Sequence, residues 1–145
     1  MIAVDTNILV YAHRTDSPFH AAAADAVRAL VAHPAGWAIP WPCVHEFIAV
    51  VTNRQTYRFA NSVETAVRQV DTWMESPSLR LLSEAPGHWG RLGELVAAGH
   101  LSGPKVHDAR IAAICLEHGV EELWTADRDF SRMPALRVRN PLIAR

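Results

Sequence analysis

The chain has 145 residues, half of them apolar and a fifth charged, with 14 Lys plus Arg against 15 Asp plus Glu. That length predicts one domain over 1–145 with a substantial core. The near-neutral balance excludes a bulk field for nucleic acid or membrane, so any such partner is met by a local patch.

Lys105 is the only lysine, and the arginine-rich remainder reads as compositional bias. Cys43 and Cys115 lie far apart in apolar helical patterns with no C-x-x-C neighbour, which predicts two small hydrophobes and no disulfide. No run approaches the ~18 apolar residues of a spanning helix. The N-terminal run lacks a basic leader and is broken by Asp5, so a cytoplasmic protein with no membrane partner is expected.

In chain order, residues 2–4 (IAV) read as a short buried strand ending at Asp5. Thr6 or Asn7 then caps a helix, NILVYAH. DSPFHAAAADAVRALVAH predicts an amphipathic helix opened by Asp16 or Ser17, with Pro18 in the first turn and an end near Pro34 to Gly36. WAIP, 37–40, is a second strand. From Pro42 the spacing of Val44, Phe47, Ile48 and Val51 makes a helix to about Asn53. SVETAVRQVDTWMES is a helix, SLRLLS a strand and GHWGRLGELVAAGH a helix ending by Gly99. VHDARIAAICLEHG is a helix with a glycine stop, ELWTA a fourth strand and LRVRN a weak fifth. Strands alternating with helices at this spacing predict an α/β fold around a mostly parallel sheet of four to five strands.

Ligands of open parallel sheets bind beyond the carboxyl ends of the strands. Asp5 ends the first strand and Asp127 follows the fourth, although each alone is equally a turn or helix cap. Asp108 is more telling. At about 100° per residue it shares a stripe with Ile111, Ala112 and Cys115, so its carboxylate points inward, where a charge is costly without compensation. An alternative is a first-turn Asp held by amides or by Arg110. Glu46 lies opposite the apolar stripe of its helix and is by default a solvated acid, although a cleft-lining helix presents a ligand the same way. Convergence of Asp5, Glu46, Asp108 and Asp127 would raise their pKa values and call for a divalent cation, with all-oxygen ligation suiting Mg²⁺ or Mn²⁺. Zinc fits poorly: there is no H-E-x-x-H, and His45 and His107 project about 100° away from the adjacent acids.

In order and spacing, VDTNILVY, the lone Glu46, VHDARIAA, WTADRDF and the tail MPALRVRNPL resemble the PIN-domain ribonucleases, and within them the VapC toxins of bacterial toxin–antitoxin pairs. The resemblance covers nearly the whole chain. It implies a single PIN domain and endonucleolytic cleavage of RNA by an Mg²⁺ or Mn²⁺ site built from Asp5, Glu46, Asp108 and Asp127. It further implies hydrogen-bonding support of that site by Thr6, Asn7 and Thr125. Asp129 is either a water-mediated ligand or a turn residue, the turn being preferred. A homodimer and a VapB-type antitoxin are the implied protein partners.

Acids do not attract phosphate, so local bases are expected to, with Arg14, Arg128 and Arg132 the candidates and Arg137, Arg139 and Arg145 behind them. Trp37, Trp41 and Trp124 are expected in the core, leaving Trp73 and Trp89 for an interface. Two other functions compete. An aspartyl-phosphate phosphatase would want D-x-D after the first strand and a lysine closing a later one, but Asn7 and Lys105 do not meet that pattern. A non-catalytic protein-binding module would use its acids only as caps.

Overall fold

The computed structural model describes residues 1–144. These form a five-stranded, wholly parallel sheet in the order β3-β2-β1-β4-β5. The strands are β1 (Ile2–Val4), β2 (Trp37–Pro40), β3 (Leu79–Leu82), β4 (Glu122–Trp124) and β5 (Val138–Arg139). Six helices connect them: α1 (Thr6–His13), α2 (His20–Val31), α3 (Trp41–Val51), α4 (Val63–Met74), α5 (His88–Gly99) and α6 (Lys105–Glu117). A 3-10 turn, Arg128–Arg132, separates β4 from β5.

The strand sequences explain the order. β2 is buried at all four positions and Ala3 and Val4 of β1 are sealed, as befits central strands covered by helices on both faces. β3 and β5 admit arginines, Arg80 and Arg139, and take the edges, where charge blunts unwanted strand pairing. Fully buried side chains such as Val4, Ile39 and Leu123 each contribute roughly 1.5–3 kcal/mol. Trp37 is sealed with its indole N–H donating to Ser76 Oγ at 3.1 Å.

The chain runs outward from β1 through β2 to β3, then returns to place β4 on the other side of β1. That reversal makes the gap between β1 and β4 the switch point, where the crossover helices part and leave a crevice above the strand ends. Ala3 faces Leu123 and Val4 faces Trp124 in register, so residues just after each strand, Asp5 and Thr125, arrive side by side.

Several expectations shift. The cap of α1 is Asp5 itself, whose carboxylate accepts from Thr6 N–H, so the helix begins one residue earlier than its expected cap allowed. α2 starts at His20, not near Asp16 or Ser17: Arg14 takes the Asp16 carboxylate, and Ser17 Oγ instead accepts from Phe19 N–H at 3.1 Å in a preceding turn. Trp73, expected at an interface, is buried edge-on to Phe47 with ring centres 4.7 Å apart, because Ala66, Val70 and Trp73 form the inner face of α4. Trp89 is 79% exposed. Trp37 and Trp124 lie in the core and the half-buried Trp41 packs against it. No helix of the described residues is long and apolar enough to cross a membrane.

Candidate active site

Asp5 occupies the crevice. It is 5% exposed, and each of its oxygens accepts two hydrogen bonds. Oδ1 accepts from Thr6 N–H at 2.7 Å and from the Cys43 thiol at 3.6 Å; Oδ2 accepts from Thr125 Oγ1 at 2.8 Å and Asn7 Nδ2 at 3.4 Å. Burial raises its pKa, while the bonds from Thr125 and Thr6 pull it back.

Thr125 is the hub between the two strand ends. Besides donating to Asp5, its hydroxyl accepts from Asn7 Nδ2 at 3.2 Å and from Asp127 N–H at 3.0 Å. Asn7 Oδ1 accepts from Ala126 N–H at 3.1 Å, and Asp127 caps the 3-10 turn by accepting from Asp129 N–H at 2.8 Å. Thr6 Oγ1 donates to Glu46 Oε2 at 3.3 Å, tying α1 to the otherwise exposed acid of α3. The D-T-N stretch and Thr125 therefore orient acids through real bonds.

Asp108 enters from α6 above the same crevice. Its pKa is pushed up to about 6, first by burial and then by the charges of Asp127, Asp5, Asp129 and Glu46. Carboxylate oxygens of Asp108, Asp127 and Asp129 lie within 4.8 Å of one another. Asp129 thus sits in a turn and also faces two acids; Asp5 and Glu46 stand farther round the wall. Asp5, Glu46, Asp108 and Asp127 all line one cavity of about 200 Å³, together with Thr6, Asn7 and Tyr57. A larger cleft of about 680 Å³ opens beside it between α3 and α6, sharing Glu46 and Asp108 and walled by His45, Lys105 and His107.

The basic candidates divide. Arg14 is no surface cation: it is 6% exposed, and its guanidinium donates to Asp16, to the Phe59 carbonyl at 2.9 Å and to Asn61 Oδ1 at 3.3 Å. Its charge is neutralised inside the fold, so it offers none to phosphate. Arg128 and Arg132 are exposed and form no ion pair among the described residues. Arg137 pairs with Glu122 at 3.2 Å and Arg139 stacks on Trp124; Arg145 lies outside the described residues.

Sequence reading missed Cys43, whose thiol supports Asp5, and the two tyrosines, Tyr11 and Tyr57, that line the acidic cavity. Cys43 precedes Glu46 by nearly one helical turn, which signals a shared wall once Glu46 is suspected. Tyr57 sits in a loop with no periodicity to place it.

An acid-lined crevice at the switch point of a small parallel α/β sheet defines a recognisable class. The chain belongs to the PIN-domain family, whose model matches residues 2–136, and within it to the VapC group. It is 34% identical over 142 residues to ribonuclease VapC43 of Mycobacterium tuberculosis, covering 98% of this chain and 96% of that protein. Ribonuclease VapC48 of the same organism is 30% identical over 137 residues, 94% of each chain. The crystal structure of VapBC2 from Rickettsia felis bound to a promoter DNA fragment contains a similar fold. Its TM-score is 0.70 at 21% identity, with 97% of this chain and 98% of that one covered.

Proposed function

We propose that this chain, as a single domain over 1–145, is a divalent-metal-dependent endoribonuclease and the toxin of a VapBC-type pair in the cytoplasm. The observation that carries the reading is the convergence of carboxylates: oxygens of Asp108, Asp127 and Asp129 lie within 4.8 Å of one another, and burial, then the neighbouring acids, push Asp108 up to about 6. Among the described residues no cation pairs with these acids, and their mutual repulsion would be relieved by a bound one.

The donor set fits Mg²⁺ or Mn²⁺, being all carboxylate oxygen with no nitrogen or thiolate in the cluster. Asp108, Asp127 and Asp129, whose oxygens come together, would hold the ion, with Asp5 and Glu46 adding negative charge from the wall of the cavity. When bound, such an ion lowers the pKa of a coordinated water and offsets the charge of a phosphodiester.

The remaining work belongs to the chain. Thr125, Asn7 and Thr6 N–H fix both Asp5 oxygens, so this carboxylate needs no reorganisation during the reaction. Glu46, exposed, lining the same cavity and bonded to Thr6 Oγ1, is left to accept a proton from the attacking water. Arg128, next to Asp127 in the chain, and Arg132, at the far end of the same 3-10 turn, are exposed and would supply the positive charge that phosphate needs.

Relatives named ribonucleases and a structural neighbour crystallised as a VapBC complex support the substrate class and the partner. A VapB-type antitoxin would oppose the enzyme by covering the crevice, and a homodimer is the expected assembly. The test is cleavage of total RNA with Mn²⁺ supplied, with EDTA present, and with Asp5→Asn or Asp108→Asn. Cutting that stops in EDTA and in both folded variants is expected. RNA left intact by the parent in Mn²⁺, or cut equally well in EDTA, would defeat the proposal in favour of a binding module.

A further inference from the structure

Residues 52–62, between α3 and α4, form neither helix nor strand, yet they are tightly held. Asn61 N–H donates to the Val51 carbonyl at 2.8 Å, and the N–H groups of Thr56 and Tyr57 both donate to the Asn53 carbonyl, at 3.1 and 3.0 Å. Arg14 grips the loop from the end of α1 through the Phe59 carbonyl and Asn61, and its guanidinium lies 4.0 Å from the centre of the Tyr57 ring. Burying a guanidinium is costly unless its donors are satisfied. Here they are satisfied by fixing this loop.

What the loop carries is NRQTYRF, 53–59. Tyr57 is half-buried, rests against Arg14 and lines the acidic cavity beside Asp5, Glu46 and Asp108. Phe59 is 76% exposed, with the Arg58 guanidinium 5.3 Å from its ring centre. Arg54 and Arg58 are exposed and form no ion pair among the described residues. Aromatic rings interleaved with unpaired arginines suit single-stranded nucleic acid: bases stack on the rings and the cations follow the phosphates. The neighbouring acids repel a phosphodiester, so a strand entering the cavity needs attraction from such a source.

We infer that this loop is a binding element for single-stranded RNA, with Tyr57 stacking a base beside the acidic cavity, Phe59 a second base, and Arg54 and Arg58 pairing with the backbone. The inference rests on the nuclease reading. It also gives Arg14 its role, holding the platform rather than touching the strand.

The test is binding of a short single-stranded RNA containing 2-aminopurine, followed by fluorescence quenching in the Asp108→Asn background, beside cleavage by chains that keep Asp108. Tyr57→Ala should weaken binding roughly five- to 150-fold and relieve the quenching, whereas Tyr57→Phe should stay within about twofold. Arg58→Ala should lower the slope of log affinity against log salt by about 0.7. Phe59→Ala and Arg58→Ala alter exposed side chains and serve if Tyr57→Ala fails to fold. Loop variants that bind RNA as tightly as their parent, with unchanged salt slope, while the chain still cuts RNA, overturn the loop assignment alone and leave Phe59 to a protein contact. A parent chain that neither binds nor cuts RNA overturns the nuclease reading and the loop together.

Discussion

Replacing Asp108 by Asn should stabilise the metal-free protein while abolishing cleavage. The carboxyl is raised from its ordinary 3.8 to about 6, a displacement worth ~3 kcal/mol if the group were fully shielded. Its side towards the cavity is open to water, so screening reduces the expected penalty to ~1 kcal/mol. The sign follows from the raised value. Below 3.8 the group is protonated folded and unfolded alike and no penalty exists; the penalty grows as pH rises through about 6. In EDTA at pH 7.5, Asp108→Asn should therefore melt roughly 2–4 °C above the parent for each kcal/mol relieved, and the two curves should converge near pH 3.5. Adding Mg²⁺ should raise the parent's melting temperature more than the variant's, because ligand stabilises in proportion to its affinity for the folded state. Thermal melts by circular dichroism with and without EDTA at the two pH values settle the matter. A variant that melts below the parent in EDTA at pH 7.5 would show that Asp108 is held by donors in the fold, and the argument from repulsion would be lost.

Thr125→Val should destabilise the chain by ~1–3 kcal/mol, since it strips Asp5 of a buried donor and Asp127 N–H of its acceptor; urea unfolding measures it, and a change under about 0.5 kcal/mol would refute the hub. Arg14→Ala should cost ~2–4 kcal/mol through the lost bonds to the Phe59 carbonyl and Asn61, with hydrogen exchange rising first across 53–61. Protection there equal to the parent's would deny the clamp. Trp73→Ala should cost ~3–5 kcal/mol, whereas Trp89→Ala should remain within about 0.5 kcal/mol. Equal effects in a paired melt would contradict their assigned burial.

Most of the fold was legible because its signals are local. Short apolar strands bounded by breakers, and helices with a clear inner stripe, appear within a turn or two of their expected ends. The exposure of Glu46 followed from the stripe of Val44, Phe47 and Val51, and the inward aim of Asp108 from Ile111 and Cys115. Trp73 was equally readable, since Ala66, Val70 and Trp73 share a helical face. What local pattern cannot carry is pairing over distance. Arg14 looks like a free cation after a helix end; only the loop some forty-five residues on, folding over it, buries the charge. The support of Asp5 by Cys43 and the place of Tyr57 depend on the same kind of long-range closure. The caps moved for a related reason: Asp5 and Asp16 each had a nearby donor that sequence spacing alone does not rank.

The bonds of Asp5 and Asn7 to Thr125 and Ala126 join positions 118 to 120 apart in the chain. During synthesis the first half of the catalytic pocket leaves the ribosome long before its counterpart, and an N-terminal fragment ending before β4 has no way to complete it. The acidic crevice is therefore incomplete until roughly the final sixth of the chain, from β4 onward, docks against the first strand. That delay is written into strand order, since β4 lies beside β1 in the sheet although almost the whole chain separates them.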